Sequence, residues 1–122
     1  MKSDQTRLDY LVLRCADLPR SRRFYEVLGL RFEDQQHGQG PRHLSADVGG
    51  VVLELYPLTR RSTAGLRFGL RVQNVGRVLE ELARVESGAI IRAPEEAPKT
   101  ALLRDPDGHE VELAELDEAS SD

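Results

Sequence analysis

The chain has 122 residues, 39% of them apolar, which is enough for one hydrophobic core and too few for two independent domains of usual size. Its 17 lysines and arginines against 21 acidic residues leave a net charge of −4, which excludes a general phosphate-backbone binder and sets nucleic acid aside as a partner. The single cysteine, Cys15, excludes an intrachain disulfide and a cysteine-rich zinc site; the start MKSDQTR lacks the apolar stretch of a secretory signal and no apolar run nears membrane-spanning length, so a cytoplasmic location off the membrane is expected.

The first strand is predicted over residues 8–15. Asp17 then stands as an N-cap, Pro19 sits in a first turn where its missing N–H is harmless, and Gly29 marks a stop. Together they set a helix over 18–28 with Phe24, Val27 and Leu28 as its apolar stripe. Strands over 31–34, 43–48 and 51–56 follow, the first two separated by the Gly-rich loop DQQHGQGPR. The segment PLTRRSTAG, 57–65, leads to a strand over 66–72. Asn74 caps a second helix over 75–86, where Val75, Val78, Leu79 and Leu82 recur at i, i+3, i+4 and i+7 and Gly88 closes the element. Strands over 89–92, 100–105 and 110–114 complete the chain, with the loop RAPEEAPK before the second and a DPDG turn, proline at its second position, before the third.

The same order of elements occurs twice. LVLRCADLPR, 11–20, aligns with FGLRVQNVGR, 68–77, so that Leu13 meets Leu70, Arg14 meets Arg71, Asp17 meets Asn74 and Arg20 meets Arg77, an offset of 57; Glu54 then meets Glu112 at an offset of 58. Duplication explains this better than chance. The predicted architecture is α+β: one domain of two βαβββ modules, about 7–56 and 66–115, joined by a linker over 57–65 and followed by a tail over 116–122, with mixed curved sheets forming a cup and the helices on the outer face.

Strand side chains alternate, so parity sorts them. Leu11, Leu13 and Cys15, Val51, Leu53 and Leu55, Leu66, Phe68, Leu70 and Val72, and Val111 and Leu113 face the helices. The opposite faces carry Tyr10, Val12 and Arg14, Val52, Glu54 and Tyr56, Arg67, Gly69 and Arg71, and Glu110, Glu112 and Ala114. Antiparallel sheets often have one solvated face, so a single charged strand residue signifies little; the concentration of arginine and glutamate at one parity is what marks a site. Cys15 is read as core, and His109 in its turn and His37 in its loop are read as surface residues rather than ligands.

LDYLVLRCADLPRSRRFYEVLGLRFE, GGVVLELYP and RDPDGHEVELAE together resemble the glyoxalase, bleomycin-resistance and extradiol-dioxygenase superfamily, also called vicinal oxygen chelate, over about residues 8–115. FYEVLGL and DPDGHEVEL are the specific parts. The resemblance implies paired βαβββ modules, frequent dimers, and cups assembled from two modules of the same or different chains. In metal-dependent members it implies a divalent ion held by histidine on the first strand and glutamate on the last strand of each module. Those histidines fall here on Tyr10 and Arg67, whereas the glutamates remain as Glu54 and Glu112.

A guanidinium has no lone pair to give and stays charged, so Arg67 repels a cation instead of binding one; a tyrosine phenol ligates only when deprotonated. Arg67 is expected to pair with Glu54 or Glu112, an internal ion pair standing where relatives recruit a metal. Accordingly no cofactor is expected; the alternative is a divalent metal ion held by His43, Glu54 and Glu112. The favoured function is metal-independent binding, including sequestration, of a small organic molecule by a homodimer. Tyr10 and Tyr56 would stack or hydrogen-bond, Arg14 and Arg71 would meet anionic groups, and Glu54, Arg67, Glu110 and Glu112 complete the site. The alternatives are a metal-dependent lyase, isomerase or dioxygenase, and an interaction module without a small ligand.

Overall fold

The computed structural model describes residues 5–117; the first four residues of the start and positions 118–122 of the predicted tail lie outside the described residues. In chain order the elements are β1 (Tyr10–Cys15), α1 (Leu18–Val27), β2 (Glu33–Gln35), β3 (His43–Val48), β4 (Val51–Pro57), β5 (Arg67–Val72), α2 (Val75–Val85), β6 (Ile90–Arg92), β7 (Thr100–Arg104) and β8 (Glu110–Glu115). Both predicted caps form: Asp17 accepts from the Arg20 N–H at 3.1 Å and Asn74 from the Arg77 N–H at 3.0 Å. At the end of α1, Gly29 takes φ +104°, its N–H bonds Glu26 O, and the Leu30 N–H reaches back to Tyr25 O. This Schellman closure keeps residues 30–32 with the helix, which is why β2 begins at Glu33 and not at 31.

The strands form two four-stranded mixed sheets, ordered β1-β4-β3-β2 and β5-β8-β7-β6. In each, the first and last strands of a module run parallel and the others antiparallel. A parallel pair needs a crossover, and α1 and α2 open those crossovers. The β3–β4 hairpin turns on Gly49 and Gly50, both at positive φ (62° and 95°), the conformation a two-residue turn requires.

The helix-side faces share one core. Leu13, Leu53 and Leu55 from the first sheet and Leu103, Val111 and Leu113 from the second are buried in the same cluster as Phe24, Tyr25 and Leu28 of the α1 segment and Val75, Val78 and Leu82 of α2. Each such Leu or Phe contributes about 1.5–3 kcal/mol by leaving water. α1 packs on α2, and Tyr25 stacks on Phe68 of β5 with centroids 6.4 Å apart. The apolar stripe of α1 differs from the sequence reading: Tyr25 is fully buried, whereas Val27 is half-buried. A phenol is tolerated in the core because its hydroxyl donates to Asp105 Oδ2 at 2.6 Å.

Candidate functional site: the open sheet faces

Register turns the parity reading into rows. On the first sheet, Arg14 lies opposite Tyr56, Val12 opposite Glu54, and Tyr10 opposite Val52. The β3 register extends the second row to Ser45 and the third to Asp47. β2 adds Glu33 beside Ser45 and Gln35 beside His43. His43 stacks on Tyr56 with centroids 4.2 Å apart and planes at 7°, His37 follows at 5.1 Å, and the Arg14 guanidinium carbon lies 5.1 Å from the Tyr56 centroid. A ladder of guanidinium and rings thus walls the Glu54 row. Glu54 is 16% exposed and its Oε2 lies 3.4 Å from His43 Nε2. Burial, then the Glu54 charge, raises the Tyr56 phenol and keeps it protonated.

On the second sheet, Arg67 lies opposite Glu110 and Gly69 opposite Glu112, with Arg104 and Leu102 as their β7 neighbours. Arg67 bridges two carboxylates of one strand: its guanidinium is 2.7 Å from Glu110 and 3.0 Å from Glu112. Arg104 approaches Glu110 from the other side at 3.7 Å. The Arg67 hydrogen bond holds the Glu110 carboxyl below its ordinary range, and Glu110 raises Arg67 in turn. Arg67 is 50% exposed and Glu112 56%, so this arrangement fixes charge more than it adds stability. Arg71 donates to Glu115 O at 2.9 Å, as Arg14 does to Pro57 O at 3.4 Å in the first module. Gly69, having no side chain, leaves a hollow of ≈ 780 Å³ bordered by Arg71, Arg92, Thr100, Leu102, Glu112 and Ala114.

The predicted site residues therefore gather in two groups. Tyr10, Arg14, Glu54 and Tyr56 share the first open face with His43, while Arg67, Arg71, Glu110 and Glu112 share the second. The expected Arg67 partner is Glu112, joined by Glu110, with Glu54 turned to His43 instead. Glu33, Ser45, Asp47, Arg92 and Arg104 also point to these faces. The same parity rule applied to β2, β3 and β7 finds all but Arg92, which a register shift between Ile90 and Arg92 turns to the open face.

His109 corrects the sequence reading: it is fully buried, not a surface residue. Its Nδ1 meets Asp105 Oδ2 at 2.7 Å and its Nε2 meets Thr63 Oγ1, which also accepts from the Arg14 N–H at 2.9 Å. Asp105 Oδ1 accepts from the Asp107 and His109 N–H groups at 2.9 Å each. Desolvation would raise the Asp105 carboxyl, but the hydrogen bonds from His109 and Tyr25 outweigh it and hold the group below its ordinary range. Asp107 in turn accepts from the Ala16 N–H at 2.8 Å and the Ser21 hydroxyl at 3.2 Å. The DPDGH turn of the second module is thereby bonded into the first.

Two four-stranded βαβββ sheets sharing a core, each with a polar open face, define the class of paired-module folds. Residues 7–113 match the family model of the Glyoxalase/Bleomycin resistance protein/Dioxygenase superfamily, and the chain belongs to that superfamily. Among solved structures, the chain is similar to Oxidase ChaP-H2 (20% identity, 97% of this chain and 99% of that one, TM-score 0.68). It is likewise similar to the trypanothione-dependent glyoxalase I of Leishmania major (24%, 91% and 87%, TM-score 0.68). A third is TnmS3, an antibiotic binding protein from Streptomyces sp. CB03234 (22%, 95% and 100%, TM-score 0.66). No curated protein matches. At these identities the structural likeness speaks for the fold.

The residues do not fit the divalent ion of metal-dependent relatives. Arg67, on which the resemblance places a ligand position, is paired with Glu110 and Glu112, and among the described residues of this chain no three His, Cys, Asp or Glu side chains gather to hold an ion. His43 and Glu54 of the alternative set are neighbours; Glu112 belongs to the other group. No described helix is long and apolar enough to cross a membrane.

Proposed function

We propose that this protein is a metal-independent binding protein that holds, and so sequesters, a compact organic molecule against its open sheet faces, in the cytoplasm and as a homodimer. One observation carries the reading: the Arg67 guanidinium is bonded to both Glu110 and Glu112 of the second module, where the resemblance puts an ion in metal-dependent relatives. The neighbouring hollow, lined by Arg71, Arg92 and apolar side chains, suits a ligand better than it suits a Lewis acid. Arg71 and Arg14 are the groups for an anionic end of the ligand, and the Tyr10 and Tyr56 rings for its flat part.

Charge supports the dimer. The open face of the first module sets Glu33, Asp47 and Glu54 against Arg14, and that of the second sets Arg67, Arg71, Arg92 and Arg104 against Glu110 and Glu112. Stacking the first module (about 7–56) of one protomer over the second (about 66–115) of its partner joins an acidic face to a basic one and closes a cup. Native mass spectrometry of the purified protein tests the proposal. A dimer retaining an organic molecule and no stoichiometric metal is the expected result; a tightly held divalent ion, with activity that follows its loading, would overturn it in favour of a lyase, isomerase or dioxygenase.

A further inference from the structure

The duplication supplies its own control. Glu54 and Glu112 occupy equivalent places, opposite Val12 and Gly69 of the first strand of their modules. Glu112 is answered by a guanidinium and lies largely in solvent. Glu54 is withdrawn, and among the described residues no lysine or arginine pairs with it; its neighbour is His43.

That neighbour leaves an open bonding position. The His43 ring is 1% exposed; its Nδ1 lies 3.3 Å from Pro41 O and therefore carries a proton, while Nε2 is buried with no hydrogen-bond partner. In the neutral tautomer that donates from Nδ1 to Pro41 O, an imidazole lone pair faces the Glu54 carboxylate oxygen, 3.4 Å away. An unmatched buried acceptor is costly, and the ring cannot swing away from it because Tyr56 and His37 hold it by stacking. The neighbours of Glu54 in its row are Val12 and Ser45, between the Arg14–Tyr56–His43 row and the Tyr10–Val52–Asp47 row.

A ligand that displaces bridging water from these two acceptors must supply two donors from one group. A hydroxyl has a single proton to offer and a carboxylate or phosphate has none and is repelled, whereas a protonated amine presents at least two N–H bonds and a charge that Glu54 attracts. We infer that Glu54 and His43 form an ammonium site in the first module, one N–H going to Glu54 Oε2 and a second to His43 Nε2. The inference rests on the binding reading above and deepens it: the sequestered molecule carries an amine.

The probes are benzylamine, benzyl alcohol and benzoate, added to the full-length protein at millimolar concentration and followed by NMR chemical-shift titration, with zinc chloride as a separate arm. Benzylamine alone is expected to move the resonances of Val12, Ser45 and Glu54. Glu54→Gln, which preserves shape, and His43→Phe, which preserves the stack on Tyr56, should each weaken it by roughly tenfold. Equal binding of the alcohol, benzoate in place of the amine, or amine binding unaltered in both variants would overturn the ammonium site while leaving small-molecule binding intact. Zinc uptake lost in both variants would replace it with a metal site. Silence from all three organic probes would overturn the binding reading as well.

Discussion

Replacing Asp105 with alanine removes the acceptor for the Tyr25 hydroxyl, the His109 ring and two backbone N–H groups at once. Both side-chain donors lie in fully buried residues, so water cannot take the place of the carboxylate. Hydrogen bonds to a charged group are each worth about 1.5–3 kcal/mol, and two buried side-chain donors lose theirs, so the loss should fall at about 3–6 kcal/mol. For a chain of this size that lowers the melting temperature by roughly 10–20 °C. Tyr25→Phe, which keeps the ring in the core and deletes one donor, should cost only about 1–2 kcal/mol. Urea denaturation with fitted m-values measures both, and a loss under about 1 kcal/mol for Asp105→Ala would refute the reasoning. The pH dependence has a definite sign. Because the Asp105 carboxyl titrates lower in the folded chain than in the unfolded one, its contribution is complete above the ordinary carboxylate range and is lost as pH falls through the depressed folded value. The stability gap between wild type and Asp105→Asn should therefore narrow below about pH 4.

The Cys15 thiol is buried and pushed up to about 12, mainly by desolvation, so a thiol reagent at neutral pH should label it only in denaturant; fast labelling of the native protein would contradict its place in the core. Asn74→Ala removes the acceptor for the Arg77 N–H at the start of α2 and should cost about 1 kcal/mol in the same urea assay. Arg67→His frees Glu110 and Glu112 and adds an imidazole, so it should raise zinc uptake above wild type in calorimetry; unchanged uptake would mean that Arg67 is not what keeps a cation out. In double-mutant cycles, Arg67 should couple to Glu110 and Glu112 and be additive with Glu54.

Local signals in the sequence were enough for the elements. Asp17 and Asn74 cap as their positions before apolar-periodic runs require, and the internal alignment of the sequence alone matches Arg14 with Arg71 and Glu54 with Glu112. Parity likewise sorts Tyr10, Glu54, Arg67 and Glu112 onto the faces away from the core. What parity lacks is register: it does not say that Glu54 lies opposite Val12 and Ser45, or that Arg67 meets Glu110 first, because those pairings depend on how strands distant in the chain align. His109 eluded a local reading for the same reason. A histidine after DPDG looks like a turn residue until Tyr25 and Thr63, 84 and 46 positions away, are brought around it.

The hub at Asp105 also constrains how the duplicated halves diverge. Its carboxylate comes from the second copy, the phenol that bonds it from the first, and the hydroxyl that completes the histidine's bonding from the join between them. Loss of the carboxylate strands donors in both copies, and loss of the phenol or the hydroxyl takes a partner from Asp105 or His109 of the second, so at this point the halves must change together. Elsewhere, as the unlike surroundings of Glu54 and Glu112 illustrate, each half is free to specialise alone, and the protein can alter what one copy recognises without disturbing the inheritance of the other.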